Sequence, residues 1–203
     1  MTTADPPAEQ AYHHGSLRQA LLARAETSLA EVGADNLSLR QLARDIGVSH
    51  GAPARHFRDK QALLDALAVD GFTTMNAALS AAAASTGTYR ERFDRVAVVY
   101  VGFAREHPDL LQLMYATKHR ETASAELSEV GEAGMLACRD LLREAQDARV
   151  LAPGDTDLLS LVAFAQLHGI ALLASGNMLG DVSPEAAVAA TTDLLWAGLT
   201  NVG

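Results

Sequence analysis

Apolar residues recur along the chain at steps of three and four, and no stretch shows the alternation of a half-buried strand. Leu17, Leu21, Ala25, Leu29 and Val32 form one stripe, which predicts a helix capped by Ser16 and ended by Gly33. Leu39, Leu42, Ala43 and Ile46 form a shorter stripe between a cap at Ser38 and a stop at Gly47. Val48 is placed to plug the turn, and Ser49 is placed to cap a second short helix reaching His56 or Phe57. A long helix follows from Asp59, with Leu63, Leu64, Leu67, Phe72, Met75 and Leu79 inward, and Gly87 breaks it. Further helices are predicted at 89–106, 108–116, 124–148, 155–175 and 184–201, with Pro108, Pro153 and Pro184 near starts that tolerate proline. The pattern is all-α. It predicts a disordered polar tail over 1–11, a three-helix head over 12–58, and a long helix leading into a larger bundle over 59–203.

Composition agrees with helices: apolar residues make up 49% and aromatics 5% of 203 residues. No run of apolar residues is read as long enough to span a bilayer, and no leader-like apolar segment opens the chain, so a soluble cytoplasmic protein is expected. The single cysteine, Cys138, excludes an internal disulfide and a multi-cysteine zinc site. His13 and His14 adjoin each other at a helix start and converge poorly on a metal. No metal or cofactor is expected.

The net charge of −9 changes the picture only through its distribution. Residues 1–60 hold seven Lys/Arg and seven Asp/Glu, whereas 61–203 hold nine and eighteen. Within 38–60, Arg40, Arg44, Arg55, Arg58 and Lys60 face only Asp45 and Asp59. A small basic surface on an acidic body suits a phosphate-bearing partner.

Two short helices joined by a glycine-containing turn are the signature of a helix-turn-helix. The stretch SLRQLARDIGVSHGAPARHFRDKQALL, from Ser38 to Leu64, resembles the DNA-binding head of the TetR family of bacterial regulators, and YHHGSLRQALL at 12–22 resembles that family's first helix. The similarity is strong over 12–66. It implies a recognition helix whose small and polar residues Ser49, His50, Gly51 and Ala52 enter the major groove, with Arg55 and His56 one turn on. Ser38 and Arg40 are further candidate contacts, and helix N-termini attract phosphate. Lys60 matches the family's phosphate-contacting lysine. Phe57 is expected to be a buried plug. The chain departs from the family at Pro53-Ala54, where an aromatic residue that touches phosphate is common. Pro53 predicts a tight or distorted first turn. Plain caps and solvated charges remain the competing reading for each residue alone.

The resemblance further implies a homodimer formed through the last two helices, a double-stranded DNA operator, and a pocket whose ligand releases DNA. Leu158–Leu173 is apolar nearly all round, and Val188, Leu194, Leu195, Trp196 and Leu199 give the last helix a second apolar face. The Gln166–Gly169 piece resembles a His-Gly element of some TetR-family body domains. Candidate residues for a largely apolar small-molecule effector are Phe72, Met75, Tyr100, Phe103, Met114, Tyr115, Cys138, Phe164 and His168, with ordinary core packing as the alternative for each. No P-loop, dinucleotide-binding glycine motif, HExxH or nucleophile elbow is present, so an enzyme is not expected. A ligand-binding protein that has lost DNA affinity through Pro53-Ala54 is the other reading.

Overall fold

A computed structural model of the chain describes residues 8–200, with side chains described from Ser16 onward. Residues 1–7 and the side chains of His13 and His14 lie outside that range. Among the described residues there are eight α-helices and no strand: α1 Ala8–Asn36, α2 Leu39–Asp45, α3 Lys60–Ala83, α4 Tyr89–Glu106, α5 Pro108–Lys118, α6 Ala125–Asp147, α7 Thr156–Ser175 and α8 Pro184–Thr200. The all-α architecture and the long α3 joining head to body match the expected order.

Two boundaries differ from expectation. Helix α1 begins at Ala8, ahead of Ser16, because Ala8, Glu9, Gln10 and Ala11 are strong helix formers. Ser16 therefore sits inside a helix and does not cap one. The expected second helix of the helix-turn-helix is absent. In its place stands one 3-10 turn, Pro53–Arg55. At the other end of α1, Gly33 breaks the helix with φ 74° and ψ 165°.

Capping explains most of the remaining starts. Asp59 accepts from Ala62 N–H at 2.8 Å, and Ser124 from Leu127 N–H at 3.1 Å. Asp155 accepts from Asp157 and Leu158 N–H. Thr88 and Glu91 satisfy each other's backbone in a capping box. A single residue, His107, separates α4 from α5, and Pro108 opens the latter.

Helix α3 is the spine of the core. It packs on α6, α4, α5 and α1, with Leu63, Leu67, Phe72 and Met75 buried. Its contact with α5 is close because position 71 is glycine: a Cβ there would lie 2.7 Å from Met114 Sδ. Phe72 and Met114 are fully buried in this seam.

Helix α7 corrects the expectation about membrane spans. It is 20 residues long and apolar enough to cross a bilayer by length and composition. Only Ser160, Ala163, Leu167 and Ala171 along it are buried in the isolated chain. The bundle therefore leaves an apolar helix partly uncovered.

Candidate nucleic-acid interface and body cavity

The turn between α2 and Pro53 is set by Gly47. Its φ of 73° suits a residue without Cβ. Gly47 N–H bonds to Arg44 carbonyl (3.1 Å) and Val48 N–H to Ala43 carbonyl (2.9 Å), the two bonds of a Schellman stop. Beyond it the backbone runs in short-range turns. Ala52 N–H reaches Ser49 carbonyl at 2.9 Å, Arg55 N–H reaches Ala52 at 3.2 Å, and both His56 and Phe57 N–H reach Pro53 at 2.9 Å. A proline at 53 has no N–H to return to the Ser49 carbonyl, so the helical bond that would have nucleated this segment cannot form. Ser49 therefore caps no helix. Ser38 has the extended backbone of a cap residue, but its side chain makes no capping bond.

Pro53 and Phe57 are both buried and lie four residues apart, so they anchor the segment to the head. The Arg18 guanidinium lies 5.7 Å from the Phe57 ring centre on the side of α1. With those two residues inward, Ser49, His50, Gly51 and Arg55 are exposed, and so are Ser38 and Arg40 on α2 and its cap. Ala52, His56 and Lys60 are half-buried. The Lys60 ammonium donates to the Asp35 carbonyl at the end of α1. Pro53 as an anchor went unseen in the sequence, where it reads only as a helix breaker.

The pose of α2 on α1 is held by charge. Arg24 bonds Asp45 at 2.9 Å and Glu31 at 3.0 Å, and Gln41 also donates to Asp45. The Gln41 bond, reinforced by Arg24, holds the Asp45 carboxyl below its ordinary range.

In the body, α3, α4, α5, α6 and α7 line a half-open cavity of about 500 Å³. Six of the nine candidate pocket residues line it: Met75, Tyr100, Tyr115, Cys138, Phe164 and His168. Phe72 and Met114 lie behind the wall in the α3–α5 seam, and Phe103 packs against His107 at 4.9 Å. Lys118 and His119, at the end of α5, also line it and were missed by pattern reading. A traceable signal existed: Lys118 is the lone lysine of the acidic body and lies one turn after Tyr115.

The cavity wall is ordered by a chain of polar contacts. The Tyr100 hydroxyl lies 2.7 Å from His168 Nδ1 and donates to the Tyr115 oxygen at 3.4 Å. The Phe164 and His168 rings stack at 5.2 Å. Burial pushes both phenols up, so they stay protonated, and it pulls the His168 imidazole down. Burial also pushes the Cys138 thiol up to about 11, against a bond from Ser160 that pulls the other way. Among the described residues, no three His, Cys, Asp or Glu side chains cluster to hold a metal.

Comparison with known proteins places this geometry. The family of bacterial regulatory proteins called tetR matches residues 21–67, and the tetracyclin repressor-like C-terminal domain matches residues 93–197, about half the chain.

The chain belongs to the TetR family.

A Rhodococcus sp. RHA1 protein of unknown function is 50% identical over 94% of this chain and 98% of its own, with a TM-score of 0.87. The TetR-family regulator PfmR of Thermus thermophilus shares the fold at a TM-score of 0.70, with 20% identity over 88% of this chain and 98% of its own. The HTH-type transcriptional repressor Rv1474c of Mycobacterium tuberculosis is 41% identical over 68 residues. That match spans about a third of each protein: 34% of this chain and 36% of the repressor. In this TetR-family chain, the first match takes in α1 from Leu21, α2, the Pro53 turn and the start of α3, and the second runs from Phe93 of α4 to Ala197 of α8.

Proposed function

We propose that this TetR-family regulator is a ligand-responsive repressor that binds a pseudo-palindromic operator as a homodimer. The observation that carries this reading is the surface of the 49–55 turn. Its polar and basic side chains face outward because Pro53 and Phe57 face inward. Ser49, His50, Gly51 and Ala52 meet base edges with the exposed Arg55 beside them, whereas His56 is half-buried in a hollow with Arg18, Asp65 and Glu126. Ser38, Arg40 and Lys60 meet phosphate, with the Lys60 ammonium leaving the Asp35 carbonyl for the DNA backbone.

A second copy of the chain covers the apolar face of the body. Among the described residues, twelve large hydrophobic ones are left exposed, and eight of them lie on α7, on α8 or between them: Leu158, Leu161, Val162, Leu172, Leu173, Met178, Val182 and Leu194. An apolar groove of about 450 Å³ between the two helices, floored by Leu159 and Leu199, is shaped for partner side chains. A dimer interface also accounts for α7 without a bilayer, consistent with a cytoplasmic regulator.

The cavity is the effector site. Helix α5 supplies Tyr115 and Lys118 to it, and the residue ahead of α5, His107, lies 2.7 Å from Glu26 of α1. A ligand that displaces α5 is thereby linked to the pose of the head, and it favours the conformation with weaker DNA affinity.

Binding to genomic DNA fragments, followed by anisotropy across a salt series, tests the proposal. Affinity falls steeply with salt, and Lys60→Ala weakens it for all sequences while flattening the slope by about one counterion. Binding that is absent at every site and every salt concentration defeats it.

A further inference from the structure

We propose that the effector of this cavity is an apolar molecule bearing a single carboxylate, which the Lys118 ammonium and the Tyr115 hydroxyl receive. The inference rests on the reading of the cavity as the effector site and adds the chemistry of what fills it.

The first argument is the sign of the wall. The body carries twice as many acidic as basic residues, yet no aspartate or glutamate lines the cavity. Its polar groups are one ammonium, two imidazoles, two phenols, one serine hydroxyl and one thiol. Such a wall is rich in donors and has no fixed negative charge, so it favours an anion over a cation.

The second argument is how Lys118 is held. Its stem lies in a notch on α6 that exists because position 131 is glycine: a Cβ there would sit 2.6 Å from Lys118 Cδ. The ammonium donates to the Gly131 carbonyl at 2.8 Å. Among the described residues no carboxylate forms an ion pair with it, and Glu132 acts only from the outer side of α6. An ammonium has three donors, and one carbonyl satisfies one of them. Burial disfavours the uncompensated charge, so an arriving anion is stabilised by a partner that is already positioned and partly stripped of water.

The third argument is Tyr115. It precedes Lys118 by three residues, so both project from one face of α5. Its oxygen accepts from Tyr100, which leaves its own proton to donate. The rest of the wall is apolar: Met75, Leu79, Val96, Leu161, Phe164 and Leu167. That surface suits a hydrocarbon or aromatic body within about 500 Å³.

The plainer role for Lys118 is a staple between α5 and α6. Calorimetry on the full chain separates the two. The probes are decanoate and 2-naphthoate, each paired with its primary amide. At least one acid binds the wild type about tenfold or more tighter than its amide. Lys118→Met keeps the stem, leaves the amide affinity and the melting temperature in place, and removes the preference for the acid. Lys118→Arg restores part of it. Amides that bind as well as acids, or an acid preference that survives Lys118→Met, overturn the proposal while the effector site stands. Neutral fragments that occupy the cavity by NMR while neither acid binds have the same meaning. If acids, amides and fragments all fail to bind there, the acid proposal and the effector site fall together.

Discussion

A proline has no amide hydrogen, and at position 53 that lack reshapes the surface proposed to meet DNA. The sequence predicts a distorted first helical turn here, and the structure goes further. Ser49 to Phe57 holds only short-range turns and a single 3-10 element. What pattern reading cannot see is that Pro53 is also buried, since a proline's burial depends on which face the following turn presents. Phe57 was legible as a plug because a large aromatic residue beside charged ones has few other roles. Cys138 was a pocket candidate with core packing as the alternative, and it faces the cavity. Burial holds the thiol up to about 11, so at pH 8 only about one molecule in a thousand carries the thiolate. Labelling with Ellman's reagent is expected to be slow at pH 8 and to speed about tenfold per pH unit towards pH 10. Labelling at the rate of free cysteine at pH 7 refutes this. Because the folded state holds that proton more tightly, the linked stability is full below about pH 9 and is lost as pH rises towards 11.

At the scale of elements, the helices and their ends were mostly readable. Gly33 and Gly47 sit at positive φ where the pattern placed helix stops. Helices α3 and α7 also begin within a residue of where they were expected, after Asp59 and Asp155. The start of α1 was not readable, because Ser16 is a good cap residue that happens to lie inside a continuing helix. The cavity was partly readable. Bulky residues with polar tips on α4, α5 and α7 pointed to it, but whether a given residue lines a space or packs behind it depends on how close two helices approach. Gly71 decides that for α3 and α5 by bringing Met114 into the seam and closing it off from the cavity. The segment from Ser49 to Phe57 has no helical ladder of its own, so its shape depends on its two anchors. Phe57→Ala is expected to cost about 3–5 kcal/mol, measured by denaturant unfolding, and to abolish DNA binding. Ala54→Ser, on the exposed side of the same turn, leaves stability within about 0.5 kcal/mol. An unchanged midpoint for Phe57→Ala shows that the turn is held by something else.

At the scale of the whole molecule, charge and apolar surface divide the labour. The excess acid lies in the body, away from the segment proposed to meet phosphate, so the overall charge of −9 does not oppose DNA binding at the head. The uncovered apolar residues gather on α7, α8 and the connection between them. Leu194, 74% exposed on α8, is the most prominent of these. Leu194→Glu is expected to convert a dimer into a monomer in sedimentation velocity at micromolar concentration, with the helical content of each chain unchanged. A wild type that is already monomeric there contradicts the paired arrangement. In the proposed homodimer, two such heads are held at a fixed separation and read DNA together. Selection of bound sequences from a random duplex library at defined salt tests it most directly. An inverted repeat is expected to be enriched, with half-sites spaced for two successive major grooves, about one helical turn apart, and with affinity that falls as salt rises. Enrichment of no sequence, or binding indifferent to salt, contradicts it.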